Sequence, residues 1–165
     1  MTTDQEIRVL TLPQPWASAM GIKRIETHSG EITWDGYRGL VAIHAGKVNQ
    51  AKSAKQTIEL LEDEDGLPTE LTTFAQGAHK LPTGAIVSVG RMVDSVIMTA
   101  PWIAQQSRVE QCLGDFDIAR KGILFDDIYH LPLPIPYKGK QGLVRIKDKA
   151  LATQLIAFWQ STPKF

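Results

Sequence analysis

The sequence predicts a single α+β domain in which the strands form a mixed, mostly antiparallel β-barrel and the helices lie at its periphery. A chain of 165 residues is long enough for one domain with a real hydrophobic core. Roughly six apolar segments have the length and periodicity of β-strands. The helical segments between them differ in length and do not alternate regularly with the strands, which argues against a doubly wound parallel sheet.

The first part of the chain contains predicted strands on either side of a short helix. Residues 7–12 form the first strand, and two prolines follow it. Because proline restricts the residue before it and suits the first helical position, we expect Gln14 to cap a short helix at residues 15–20. A second strand is expected at residues 23–29. The strongly apolar residues 39–45 predict a central strand.

A helical insertion is predicted at about residues 49–80, inside a domain that spans residues 1–165. Asn49 is a suitable N-cap for the first helix, which runs to about residue 62. A second helical segment is expected over residues 66–80. The acidic residues between them have the composition of a solvated helix end.

The segment after the insertion predicts a long strand followed by one helix. Residues 85–99 are mostly apolar, and Gly90 within them indicates a bulge or a sharp bend. The helix is expected to run from Pro101 through residue 113, where Gly114 ends it.

The C-terminal part predicts two strands and a final helix. The strands are expected at residues 123–131 and 137–146, joined by a proline-rich turn at residues 132–136. Asp148 is placed to cap a helix that runs to about residue 160.

Composition limits the kinds of partner. Lys+Arg and Asp+Glu number 18 each, so bulk charge does not favour a protein that coats nucleic acid. A local patch is still possible. The densest basic stretch contains Lys138, Lys140, Arg145, Lys147 and Lys149. It can steer a polyanion or simply protect a solvated strand edge.

Cysteine usage and hydropathy bear on the compartment. Cys112 is the only cysteine, so no disulfide forms within the chain, and we expect it to be a packed residue at a helix end. No apolar run approaches the ~18 residues of a membrane span, and no secretory signal is evident. We therefore expect a cytoplasmic protein without a membrane partner. The histidines lack metal-ligand spacing, so no metal or cofactor is expected.

Short motifs occur in order along residues 12–146. They are LPQPW at 12–16, GIKRIETH at 21–28, YRG at 37–39, IHAGK at 43–47, LPTGAIV at 81–87, GDF at 114–116 and KGKQG at 138–142. Together they resemble the ASCH family, named for homology to a transcriptional coactivator. The resemblance implies a PUA-like barrel with a cleft that binds RNA. It also implies two possible activities, because a few relatives are ribonucleases and some hydrolyse the amide of acetylated cytidine.

At two places the sequence differs from the family pattern in a way that affects the expected binding and catalysis. The signature G-x-K-x-x-E-x-R ends in His28 here, so a permanent forked cation is replaced by a side chain whose charge changes near neutral pH. The amidohydrolase relatives carry a threonine where this chain has Glu26 and a glutamate where it has Ser88. We therefore expect no hydrolysis of acetylated cytidine.

The candidate site centres on the signature segment. Glu26 and His28 point the same way on a strand because side chains alternate faces. Lys23 joins them only if the strand begins at about Ile25 and Lys23 still lies in the turn after Gly21. A solvated strand face with an incidental ion pair is the alternative.

Other residues extend the candidate ligand site. Gln14 stands where unpaired helix N–H groups can bind an anion, and Trp16 either stacks on a base or belongs to the core. Arg38 and Lys47 flank the strand that contains His44. They and Lys138 are candidates for phosphate contact, with ordinary solvent exposure as the alternative.

Three functions remain open. The first is a module that binds RNA or a nucleotide in a cleft lined by the signature segment. The second is a hydrolase that uses the same cleft, with His28 and His44 as base and acid if both face it. The third is a protein-interaction domain in which residues 50–80 contact a partner.

Overall fold

A computed structural model describes residues 5–52, 74 and 77–164. Its strands are β1 (Ile7–Gln14), β2 (Ile25–His28), β3 (Gly39–Asn49), β4 (Ala85–Ile97), β5 (Lys121–Pro136) and β6 (Leu143–Arg145). They form a six-stranded sheet with the order β2-β5-β4-β3-β1-β6. The helices whose full extent lies within the described residues are α1 (Trp16–Ala19), α2 (Ala100–Ala104), α3 (Arg108–Cys112) and α4 (Lys149–Ser161), with a 3-10 turn at Ala78–Lys80.

The fold is α+β, as the sequence predicts. β1 and β3 are parallel, and the other neighbouring strands pair antiparallel. β2 and β6 are the two edges of this sheet. The sheet is therefore mixed and mostly antiparallel but open, and in the described part of the chain it does not close into the expected barrel.

β3 is the central strand, which confirms the prediction from residues 39–45. It lies between β1 and β4, and its residues 40–45 are all buried. Val41 and Ile43 pack on one face of the sheet with Phe125, whereas Leu40 and Ala42 pack on the other with Trp159. A strand buried on both faces has no polar alternation, which explains the continuous apolar run.

α4 covers one face of the sheet through Leu155 and Trp159. Its start is the predicted one, because Oδ1 of Asp148 accepts hydrogen bonds from the N–H groups of Ala150 and Leu151 at 3.0 and 3.1 Å. A side-chain acceptor at this position satisfies N–H groups that have no partner inside the helix.

The proline-rich segment is part of a strand and not the predicted turn. β5 runs unbroken from Lys121 to Pro136, and the register against β4 shifts between Ile86 and Ser88. β2 pairs with only the first residues of β5, so among the described strands the proline-containing end has β4 as its one neighbour. Prolines are tolerated at such bulges and free edges because no ladder N–H is needed there. The bend expected at Gly90 is confirmed by a second shift, between Val89 and Arg91.

The helix predicted at residues 101–113 is two short helices. α2 and α3 are separated at Ser107, whose Oγ accepts a hydrogen bond from the N–H of Glu110 at 3.2 Å. Serine competes for backbone hydrogen bonds and favours a new helix start over continuation. Cys112 is half-buried at the end of α3, as expected.

Most of the insertion predicted at residues 49–80 lies outside the described residues. At its start, Oδ1 of Asn49 accepts a hydrogen bond from the N–H of Ala51 at 2.8 Å. No helix among the described residues is both long and apolar enough to span a membrane.

Candidate functional site

A cleft of about 910 Å³ opens where the ends of β1 and β3 meet two loops. One loop follows β2, and the other connects β5 to β6. The side chains and glycines that line the cleft include His28, Glu31, Trp34, Thr11, His44, Lys47, Tyr137, Lys138, Gly139, Lys140 and Gln141. Four of the predicted ligand residues are therefore brought together here, namely His28, His44, Lys47 and Lys138.

One wall of the cleft is aromatic. The rings of His28 and Trp34 meet edge to face with centroids 5.7 Å apart. The loop that carries Trp34 is tied to the sheet by an ion pair between Asp35 and Lys121, and this pairing lowers the pKa of Asp35. Arg38 also holds the loop, since its guanidinium donates to the carbonyl of Asp35 at 2.7 Å.

A second wall of the cleft is basic. Lys47, Lys138 and Lys140 all line the cleft with exposed side chains. The last two flank Gly139, whose backbone lies directly on the side chains of β1 and β3. A β-carbon at Gly139 would lie 2.5 Å from both Nδ1 of His44 and Oγ1 of Thr11, so only glycine fits this approach.

His44 holds in place the loop that carries Lys138 and Lys140. Its Nε2 donates to the carbonyl of Tyr137 at 2.7 Å, which leaves Nδ1 of the neutral ring to accept from the Thr11 hydroxyl at 3.1 Å. Burial lowers the pKa of His44, and the bond to the Tyr137 carbonyl opposes this only in part. The neutral imidazole therefore positions the loop. With both ring nitrogens engaged, it is poorly suited to serve as the acid of a catalytic pair.

A second, smaller cavity of about 270 Å³ is lined by Lys23 and Glu26 of the signature segment. β2 begins at Ile25 and not at residue 23 as predicted, so Lys23 lies in the preceding turn and reaches Glu26. This is the condition under which the sequence allowed Lys23 to join the site. Nζ of Lys23 donates to Oε2 of Glu26 at 2.8 Å and to the carbonyl of Leu113 at 3.2 Å. The lysine is only 2% exposed, which makes this pair a buried element of the fold and not a solvated strand face.

Trp16 lines the second cavity, and Glu110 lies near it without being part of its lining. The Trp16 ring lies beside it, with its centroid 5.6 Å from Nζ of Lys23. The carboxylate of Glu110 holds the chain just after Lys23, because it accepts from the N–H groups of Arg24 and Ile25 at 2.5 and 3.3 Å. Burial raises the pKa of Glu110, while these bonds and the nearby charge of Lys23 oppose the shift.

Gln14 and Arg38 line neither cavity. Gln14 is the last residue of β1 and is fully buried. Its amide nitrogen donates to Oγ of Ser18 and to the carbonyl of Pro82, and its oxygen accepts from the N–H of Ser18 at 3.1 Å. Pro15 is the N-cap residue of α1, a position that the sequence assigned to Gln14. Gln14 still accepts a hydrogen bond from a helix N–H, but it does so from the residue before the N-cap.

The structure thus distributes the predicted residues over two cavities where the sequence suggests one cleft. Glu26 faces the smaller cavity and His28 the larger, although both lie on β2. Glu26 is paired with Lys23, and His28 packs on Trp34. The sequence reasoning missed Glu31 and Trp34. A large aromatic residue in a polar loop directly after the signature was the available signal.

The described residues contain no group of three or more His, Cys, Asp or Glu side chains arranged to hold a metal ion. No protein-family model matches the sequence, and no curated protein does so either.

Proposed function

We propose that this protein is a PUA-like domain of the ASCH type that binds a single-stranded RNA end or a nucleotide in the 910 Å³ cleft. The observation that carries the proposal is that one cavity is lined both by an aromatic wall, His28 and Trp34, and by a basic wall of lysines. A nucleotide has the matching asymmetry, with a flat base at one end and a charged phosphate at the other.

The energetics of each wall support this ligand class. Stacking of one base on an aromatic ring contributes about 1–3 kcal/mol. Lysines near a phosphate add affinity through counterion release, which makes binding sensitive to salt. The volume also lies within the roughly 300–1,000 Å³ of small-molecule sites. A protein with no net charge can bind a polyanion this way because the cations are concentrated in one place.

The resemblance supports the family part of the proposal. Four of the ordered motifs contribute to the cleft: residues 43–47 and 138–142, His28 from the signature, and Gly84 from the motif at residues 81–87. The mixed strand order and the bulges of β4 and β5 are compatible with a bent PUA-like sheet.

The test is a screen of nucleosides, nucleotides and short RNAs by thermal shift and calorimetry. The variant Lys138→Gln/Lys140→Gln should bind more weakly. Its affinity should also depend less steeply on salt, with a slope smaller by about one for each lysine that no longer neutralises a phosphate. Lys147→Gln is the matched control, because Lys147 is exposed in the same basic stretch but does not line the cleft. Equal affinities for the double variant and the control would refute the proposed site.

Hydrolysis of RNA or of a modified nucleoside is the second candidate function. It is favoured by the buried Lys23–Glu26 pair beside its own cavity, since buried ionisable groups next to a cavity are frequent at active sites. Product formation in the same screen decides between binding and turnover. A third possibility, a protein-interaction surface at residues 50–80, falls mostly outside the described residues.

A further inference from the structure

Glu31 is the one acidic side chain on the described lining of the large cleft. It makes no hydrogen bond or ion pair with any residue that the structure describes, and its side chain is exposed. It belongs to the same loop as Trp34, whereas Lys138 and Lys140 belong to the loop between β5 and β6. A free carboxylate in an otherwise basic cleft is an unexplained feature of the proposed site.

The carboxylate constrains how a nucleotide can lie in the cleft. It repels phosphate, whereas Lys138 and Lys140 attract it. The phosphate is therefore directed to the lysine wall, and the base to the wall formed by His28, Glu31 and Trp34. In this orientation a base that stacks on Trp34 lies against the loop that also carries the carboxylate.

We propose that Glu31 is a specificity-determining residue that selects bases presenting N–H donors, guanine most strongly. This inference rests on the proposed nucleotide-binding function. An ionised carboxylate only accepts hydrogen bonds, through two oxygens side by side. Guanine offers two adjacent donors, the N1–H and the 2-amino group, which match those oxygens.

The other bases match the carboxylate less well. Adenine and cytosine each offer one amino group beside a ring nitrogen that is an acceptor. Uracil offers a single N–H flanked by two carbonyl oxygens, and these repel a carboxylate. The expected order of affinity is guanine, then adenine and cytosine, then uracil.

The test uses the 5′-monophosphates of guanosine, inosine, adenosine, cytidine and uridine, measured by calorimetry at fixed pH and salt. Wild-type protein should bind the guanosine nucleotide about tenfold more tightly than the uridine nucleotide. Inosine lacks only the 2-amino group, so its nucleotide should bind more weakly than that of guanosine. Glu31→Gln should reduce the guanosine-to-uridine ratio to near one, because the amide replaces one acceptor with a donor.

Asp117→Asn is the matched control, since Asp117 is an exposed acid that does not line the cleft. It should keep the wild-type order of affinities. If all five nucleotides bind wild-type protein equally, or if Glu31→Gln keeps the full preference, the role of Glu31 is wrong while nucleotide binding stands. If none of them and no short RNA binds, the proposed function itself fails.

Discussion

Gly139 and His44 are in such close contact that a β-carbon on the glycine would lie 2.5 Å from Nδ1 of the imidazole. We therefore expect Gly139→Ala to displace the loop that carries Lys138 and Lys140. The overpacking should lower the free energy of unfolding by about 1–3 kcal/mol. Nucleotide affinity should fall as well, because the lysines move away from the cleft.

Denaturant unfolding and calorimetry measure these two effects. Gly77→Ala is the control, since nothing lies within 4 Å of a β-carbon at that position. A Gly139→Ala protein with the stability and affinity of the control would show that the loop tolerates the side chain and that its approach to His44 does not position the lysines.

The neutral state of His44 predicts a pH dependence of stability. Burial lowers its pKa below the ordinary value of 6.5. Between the lowered pKa and 6.5, the unfolded chain binds more protons than the folded one, so the free energy of unfolding rises with pH through this window. This contribution is complete above the unfolded-state pKa and is lost as pH falls through the folded-state pKa.

His44→Gln should remove that part of the pH dependence. Urea unfolding of wild type and variant between about pH 5 and pH 8 isolates it as the difference between the two curves. His79→Gln provides the comparison, because His79 is exposed. Curves for wild type and His44→Gln that stay parallel over the whole range would contradict a neutral, buried His44.

The Lys23–Glu26 pair predicts strong coupling between two substitutions. The side chains are only 2% and 13% exposed, so Glu26→Gln leaves a buried ammonium without its counter-charge and should cost about 3–5 kcal/mol. Lys23→Met/Glu26→Leu should cost much less, since it removes both charges together. The half-exposed pair Arg91–Asp127 is the reference, where removal of one partner should cost about 1 kcal/mol or less. Additive costs at Lys23 and Glu26 in a double-mutant cycle would argue against the pair as a unit.

The residue types at two positions also predict that the protein does not hydrolyse acetylated cytidine. Lys23 matches the amidohydrolase relatives, but Glu26 and Ser88 do not, and Ser88 lines neither cavity. We expect no release of acetate from acetylated cytidine by the pure protein. Steady acetate release that Lys23→Ala abolishes would overturn this expectation.

The sequence correctly predicted those elements that depend on interactions between residues close together in the chain. The buried β3 and the cap at Asp148 follow from an apolar run and from capping chemistry. The turn position of Lys23 was only a stated condition, because the sequence predicted a strand from residue 23, whereas β2 begins at Ile25. The prolines of β5 were misleading, because their tolerance depends on which strand lies beside them. The division of α2 from α3 was missed, since the competing N-cap at Ser107 is a weak signal inside a helical pattern.

The cleft itself was only partly predictable. His28, His44, Lys47 and Lys138 were recognised, but their assembly with Glu31 and Trp34 depends on two loops meeting at the ends of β1 and β3. Such loop packing is long-range in sequence and leaves no periodic pattern. The placement of Glu26 and His28 in different cavities could not be predicted for the same reason. The order of residues on β2 does not show which other segments of the chain pack against each side chain.

Ser88 supports a prediction about stability. Its side chain is fully buried on β4, and its Oγ has no hydrogen-bond partner among the described residues. A buried hydroxyl without a partner costs roughly 1–3 kcal/mol of desolvation, whereas the removal of one oxygen atom leaves only a small void. Ser88→Ala should therefore be neutral or should raise the free energy of unfolding by about 1 kcal/mol.

Thr11→Val is the informative comparison, because the Thr11 hydroxyl lies 3.1 Å from Nδ1 of His44 and its removal should destabilise the protein. Urea unfolding of both variants checks the contrast. A Ser88→Ala protein that loses as much stability as Thr11→Val would mean that the Ser88 hydroxyl is satisfied after all.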